Sequence, residues 1–318
     1  MEKRKHILFV VEGLDVPHEQ EALDTALTLA RDQEAQLSLL VLGAALPEGL
    51  GHYQAAFDDF LHERAQQLLE RVTTKRTLPD EGASERPAIV VRSGHAPHIQ
   101  AIQYVLQNGC DLLIKPAEPT TSHKGFRAID MGLLRKCPIP VLLYRSQKPS
   151  PTPIEHIGVA VDPGKPDRAE YRFAQTLLEA GLTLGRLYHA DVSVIACWES
   201  VAEDYLRNHI FAQIAVRDLQ RAVKAEEASH LETLNHLVTT LNADPRPRIS
   251  HPRGEPEKLI PRFVSDHDID LLVMGTVART GIPGFLIGNT AENILQKIGC
   301  SLLALKPEDF VSPVAPDS

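Results

Sequence analysis

The sequence is poor in residues that build sites on their own. Its 318 residues include only four cysteines, three methionines and one tryptophan, and aromatic residues make up 5%. Cys110, Cys137, Cys197 and Cys300 lie far apart, with no C-x-x-C pair and no histidine at ligand spacing, which excludes a disulfide framework and the usual zinc patterns. Four unpaired thiols suit a reducing compartment, so the cytoplasm is expected. No apolar run approaches the roughly 18 to 20 residues of a membrane helix. Lys3, Arg4 and Lys5 precede an apolar run, but Glu12 ends it before a signal-peptide core is complete, and His6–Glu12 reads as a strand. Positive charge is also scarce. With 33 Lys and Arg against 42 Asp and Glu, the net charge of -9 argues against a general nucleic-acid surface. Neither G-x4-G-K-[ST] nor G-x-S-x-G occurs, which disfavours an energy-coupling NTPase and a nucleophile-elbow hydrolase.

What is present is one pattern written twice. Each half opens with an apolar strand ending in an acid, His6 to Glu12 and His156 to Asp162. Helical spacing follows in each, with Leu23, Ala26, Leu27 and Ala30, then Phe173, Leu177, Ala180, Leu184 and Leu187. The remaining elements match in order: strands at Leu37 to Leu42 and Val192 to Cys197, helical stretches at 51–76 and 202–242, and third strands at Ala88 to Arg92 and Arg248 to His251. Each third strand precedes a glycine and a proline-led helix, at Gly94 with Pro97 and at Gly254 with Pro256. Fourth strands Cys110 to Lys115 and Ile269 to Met274 and last strands Pro140 to Tyr144 and Ser301 to Leu305 complete the repeat.

Unbroken apolar runs alternating with amphipathic helices indicate parallel strands buried on both faces and joined by crossovers. The expected fold class is α/β: two tandem doubly wound, Rossmann-like domains, each a five-stranded parallel sheet flanked by helices. The expected organisation is a degenerate domain at 1–145, a Pro-rich linker at 146–153, a second domain at 154–310 and a disordered tail at 311–318.

Ligands of such sheets sit beyond the carboxyl ends of the strands, where strand order reverses. There the second half runs from Met274 and Gly275 through Ala278, Arg279, Gly281, Gly284 and Gly288 into a helix opening with Asn289 and Thr290. Glycines leave room for a ligand, and a helix start offers free N–H groups and a positive dipole end, which together suit a phosphate.

Residues 269–307 resemble the signature of the universal stress protein family, whose nucleotide-binding members carry G-x2-G-x9-G-[ST] after strand four. Here the spaced positions are Gly275, Ala278, Gly288 and Asn289; two depart, since Ala278 adds a methyl and Asn289 replaces a hydroxyl. Gly275-Thr276-Val277-Ala278-Arg279-Thr280-Gly281-Ile282, Gly288-Asn289-Thr290-Ala291-Glu292 and Leu133 to Pro138 are similar to the tandem two-domain subgroup of that family. The resemblance implies an adenine-nucleotide alpha-hydrolase-like fold and a pseudo-dimer formed within one chain by the two last strands. It also implies a cleft with Asp162 near the adenosine end, Met274 and Gly275 near the ribose and phosphates, and Arg279, Gly288, Asn289 and Thr290 around the phosphates, with Ala278 at the departing glycine position.

The expected function is a non-enzymatic stress-response protein that binds ATP or AMP weakly or not at all and acts through protein partners, without nucleic acid or membrane. A slow ATP-hydrolysing switch, a binder of another phosphorylated or lipidic molecule, and a homodimer beyond the internal pair are the alternatives kept. No catalytic or metal residue is assigned. In the first half the loop Lys115 to Gly125 lacks the spaced glycines, and Lys115 and Lys124 read as solvated lysines on a loop. His95 with His98, and His251 with His267, are the metal pairs worth naming; the first sits three apart where a helix begins, without a nearby acidic or cysteine partner. His189 with Asp191, and His267 beside Asp266 and Asp268, read as solvent-facing clusters. Cys137 and Cys300 read as buried structural cysteines, and Trp198 as packing at a strand end.

Overall fold

The computed structural model describes residues 5–12, 18–75, 86–120, 123–145, 154–164, 168–200, 203, 215–277 and 287–315. The expected linker at 146–153 lies outside them, as do Ala278 and Arg279. By contacts the chain divides into two compact units, one of Met1–Thr152 with Thr276–Gly288 and Gly299–Ser318, the other of Pro153–Gly275 with Asn289–Ile298.

In the first unit the elements run β1 (His6–Glu12), α1 (Glu19–Asp32), β2 (Gln36–Ala44), α2 (Gln54–Lys75), β3 (Ala88–Gly94), α3 (Pro97–Asn108), β4 (Leu112–Pro116), α4 (Ala128–Lys136) and β5 (Val141–Tyr144). Strand order is β3-β2-β1-β4-β5, all neighbours parallel. Ile7 to Val11 of β1 are all buried, which is why the strand is an unbroken apolar run: helices cover both faces. The stretch expected to be helical from 51 opens instead as a 3₁₀ turn, Glu48–Tyr53, before α2 begins.

β10 (Ser301–Leu305), the last strand of the second half, belongs to this unit and pairs antiparallel with β5, Leu303 opposite Leu142. This is the pairing of last strands that the resemblance implied. Ser301 secures it, since its Oγ donates to the Arg145 carbonyl at 2.9 Å and accepts the Arg145 N–H at 3.0 Å. The tail expected to be disordered from 311 is instead placed as far as Ala315, because the Ser312 hydroxyl donates to the Lys136 carbonyl at 2.8 Å at the free end of α4.

The second unit contains β6 (His156–Ala160), α5 (Ala169–Tyr188), β7 (Asp191–Ile195), α6 (Val216–Thr240), β8 (Arg248–Ser250), α7 (Pro256–Asp266), β9 (Leu271–Gly275) and α8 (Asn289–Leu295). Its strand order, β9-β6-β7-β8, repeats β4-β1-β2-β3 with every pair parallel. The chain is thus a tandem α/β protein with mostly parallel sheet flanked by helices. Pro256 starts α7, and Pro261, inside it, has no N–H for the Glu257 carbonyl. That carbonyl accepts the Lys297 ammonium at 3.1 Å, and the Glu257 carboxylate takes the Asn293 amide at 2.6 Å, so the proline's missing bond becomes an anchor for α8.

Candidate functional site

Strand order in the second unit reverses between β6 and β9, and Ala160 lies opposite Met274 in that pair. Asp162, just past β6, therefore stands beside Gly275 at the carboxyl ends of adjacent strands. Asp162 is half-buried, and its Oδ1 accepts the Gly164 N–H at 3.0 Å in a turn where Gly164 has φ +56°. Met274 is buried. A Cβ on Gly275 would come within 2.5 Å of Phe173 Cε1, so α5 already fills the space the missing side chain leaves. Asn289 and Thr290 open α8 and are exposed.

Thr276, Val277, Ile287 and Gly288, in the first unit, pair with one another. Val277 and Ile287 make an antiparallel bridge, Gly288 N–H donates to the Thr276 carbonyl at 2.9 Å, and Thr276 N–H donates to the Leu305 carbonyl at 3.2 Å. The Gly288 amide is thus committed to backbone. The Thr276 hydroxyl is buried and has no hydrogen-bond partner. Sequence reasoning passed over Thr276; the available signal was a hydroxyl directly after a strand-ending glycine, where a β-carboxyl end meets the loop.

The first half is built otherwise. Lys115, expected to be solvated, is fully buried at the end of β4. Its ammonium donates to Asp130 at 2.9 Å and to the Pro116 carbonyl at 2.9 Å, and it also contacts the Glu12 carboxylate. Burial alone would lower the Lys115 pKa, but Asp130 and Glu12 outweigh it and hold the value above that of an ordinary lysine. Glu118, two residues past β4, accepts the N–H groups of Ile129 (2.8 Å) and Asp130 (3.2 Å) in the first turn of α4. Its own N–H donates back to Asp130 Oδ2 at 2.8 Å. Lys124 is exposed, as expected.

This twofold pattern is also found by comparison. The family model described as "Universal stress protein family" matches twice in tandem, over residues 3–145 and 153–306. The chain belongs to the universal stress protein family. It is 28% identical to the universal stress protein E homolog of Haemophilus influenzae, over 96% of this chain and 98% of that one. A crystal structure of a functionally unknown protein from Pseudomonas aeruginosa is similar at 26% identity and a TM-score of 0.69, covering 96% of this chain and 94% of that one. A universal stress protein from Archaeoglobus fulgidus shares the fold at a TM-score of 0.65 and 11% identity, over 94% of this chain and 98% of that one.

Among the described residues of this universal stress protein, no three His, Cys, Asp or Glu residues form a group able to hold a metal. The histidines named from sequence have other neighbours. His98 lies against Gly132, its Nε2 3.5 Å from the Lys136 ammonium; burial and then Lys136 lower its pKa. His251 meets not His267 but His230 of α6, with 2.8 Å between Nε2 and Nδ1, while the His267 ring packs on Phe263 and contacts its carbonyl. His251 also stacks on Trp198, which is buried just past β7 with the Arg253 guanidinium over its ring. Cys137 and Cys300 are fully buried, and burial pushes the Cys137 thiol up to about 11. No helix among the described residues is long and apolar enough to cross a membrane.

Proposed function

We propose that this universal stress protein acts in the cytoplasm through protein partners and not by catalysis, and that its second half binds ATP or AMP weakly. Asp162, Met274 and Gly275 at the carboxyl ends of β6 and β9, past the point of strand reversal, support a ligand there. The weakness follows from one observation: both described glycines of the spaced set are spent on the fold. Phe173 fills the space at Gly275, and the Thr276 carbonyl holds the Gly288 N–H. A phosphate that met the loop would therefore lose a close backbone approach and an amide donor. Asn289 and Thr290, exposed at the start of α8, are the described polar groups that remain to receive it; Ala278 and Arg279 lie outside the described residues.

Nucleotide-free protein titrated calorimetrically with ATP and with AMP is expected to give dissociation constants of about 0.1 mM or weaker. No phosphate release above the protein-free rate is expected. Stoichiometric binding in the nanomolar range would refute weak binding, and ATP turnover would refute the non-enzymatic assignment.

A further inference from the structure

The second half has a titratable contact where the first half has an apolar one. Ser38 pairs with Ala88 as Ser193 pairs with Arg248, and counting from those pairs sets Trp198 on Gly43 and His251 on Val91. Laying Ala65 and Leu68 of α2 on Leu234 and Leu237 of α6, all buried, sets His230 on Leu61. In the first half a Cβ on Gly43 would come within 2.7 Å of Leu61 Cδ1, so α2 closes on β2 through an aliphatic side chain. In the second half Trp198, His230 and His251 stand at those positions. His230 Nδ1 lies 2.8 Å from His251 Nε2, and the two ring centres are 5.0 Å apart.

This contact falls where α6 passes from sparse burial to dense burial. Of residues 216–229 only Val223 is buried, whereas Leu234, Leu237 and Val238 follow soon after His230. The start of the helix has no side-chain cap from Ala215. His230 is therefore an anchor on which the amino-terminal half of α6 depends. Three groups bring charge to the cluster. Glu227, one turn before His230 on α6, favours a charged His251, and Arg253, paired with Glu203, stands 5.2 Å from the centre of the Trp198 ring. Further along α6, His236 stacks on Tyr171 of α5 with ring centres 6.2 Å apart.

Two imidazoles joined in this way hold one proton between their facing nitrogens. One further proton leaves the bond intact, because an imidazolium can still donate to a neutral ring. With both rings protonated, both facing nitrogens carry hydrogen, no acceptor remains, and two like charges share a half-buried place. Burial lowers the pKa of both histidines, and for His251 the charge of His230 lowers it further while Glu227 opposes. The neutral rings are thus favoured in the folded state. The stability they contribute is complete above the ordinary value of 6.5 and is lost as pH falls from there through the lowered values.

We propose that His230 and His251 form an acid-released latch: protonation of both rings frees the amino-terminal half of α6 from the segment that follows β8, while the carboxyl-terminal half of the helix stays packed. A fall in pH then changes the surface that the second half presents, and the first half, with Leu61 and Val91 at the same positions, has no such response.

Hydrogen exchange on the full-length chain, corrected for the pH dependence of intrinsic rates, reads this without any added ligand. In the parent, amides of residues 220–229 should lose about tenfold or more of their protection between about pH 7.5 and about pH 4.5, relative to amides of residues 234–238. His230→Leu imports the first-half residue and should keep that protection across the same range. Unchanged protection of residues 220–229 in the parent would overturn the latch. Equal loss in parent and leucine variant would overturn it too, since the acid response would then belong to carboxylates such as Glu227. Should the leucine variant fail to fold, imidazole NMR of the parent decides. The rings of His230 and His251 should titrate in two separate steps, both below 6.5. Two rings titrating together at 6.5 would mean that neither feels the other, and the proposal would fall.

Discussion

The fourth strands of the two halves end at equivalent places and do different work there. β4 ends on Lys115 and Pro116, with the Lys115 ammonium between Glu12 and Asp130; β9 ends on Met274 and Gly275, with Asp162 beside them. When Leu133 to Lys136 are laid on Ile294 to Lys297, Asp130 falls on Ala291, so the second half lacks both the cation and one of its acids. An ion cluster fills the end of β4 in the first half, whereas buried Met274 and Ala291 stand at the corresponding positions of the second. The first half thus differs from the second by a buried ion cluster in place of apolar residues and not merely by the loss of spaced glycines.

The comparison breaks most sharply at Lys115. Lys115→Met imports the second-half residue but leaves Asp130 buried without its cation, which should destabilise β4 by about 3–5 kcal/mol. The pair Lys115→Met with Asp130→Ala imports both second-half residues and should recover most of that loss, because an apolar replacement of a whole buried ion pair is often close to neutral. Hydrogen exchange of the β4 amides measures both without treating the two-unit chain as one cooperative transition. Equal loss in the single and double variants would mean that Asp130 is stable without Lys115, and the ion cluster would not be what holds this end of the sheet.

A second buried lysine sharpens the contrast. Lys306, just past β10, occupies the place that Arg145 occupies past β5, but its ammonium is buried with no hydrogen-bond partner and lies 5.0 Å from the centre of the Phe310 ring. Burial lowers its pKa from 10.5 to about 8, with only Cys137 acting to raise it. The native state therefore releases the Lys306 proton near pH 8 while the unfolded chain keeps it to 10.5, so the penalty is complete below pH 8 and fades as pH rises to 10.5. Lys306→Met should stabilise the first unit by about 2–3 kcal/mol at neutral pH, with the gain gone above pH 10.5. Two methionine substitutions at buried lysines of the same unit are thus expected to have opposite signs. If Lys306→Met destabilises at every pH, the Phe310 contact matters more than desolvation.

These lysines also mark where sequence reading stops. The order of elements was legible because every buried parallel strand must be apolar on both faces, and β1, β4, β9 and β10 are short runs of that kind. The placement of Asp162 beside Met274 and Gly275 followed from the repeat and from where such sheets reverse. Lys115 was misread as a loop lysine although it ends the apolar run Leu112-Leu113-Ile114, because its first acid, Glu12, is supplied by the neighbouring strand and its second, Asp130, by a helix beyond the loop. His251 was paired with His267 by composition alone, whereas His230 reaches it from α6. Nothing in local spacing encodes contacts made by packing of distant elements.

Gly275 is the residue on which ligand binding and packing make different demands. In the register of the repeat, Phe173 of α5 stands where α1 has Leu23, and Gly275 stands where β4 has Pro116, so the larger ring faces the residue without a side chain. Gly275→Ala should therefore cost about 1–3 kcal/mol by overpacking. Phe173→Leu in the same chain should return most of it, because the leucine removes the atom that the new methyl meets. Urea unfolding followed through Trp198, the chain's one tryptophan and a buried residue of the second unit, reports the change where it occurs. Affinity for AMP should stay within about twofold in both variants, since the space at Gly275 belongs to Phe173. A Gly275→Ala protein of parental stability that no longer binds AMP would give the glycine back to the ligand, and the second half would then have kept its loop for binding.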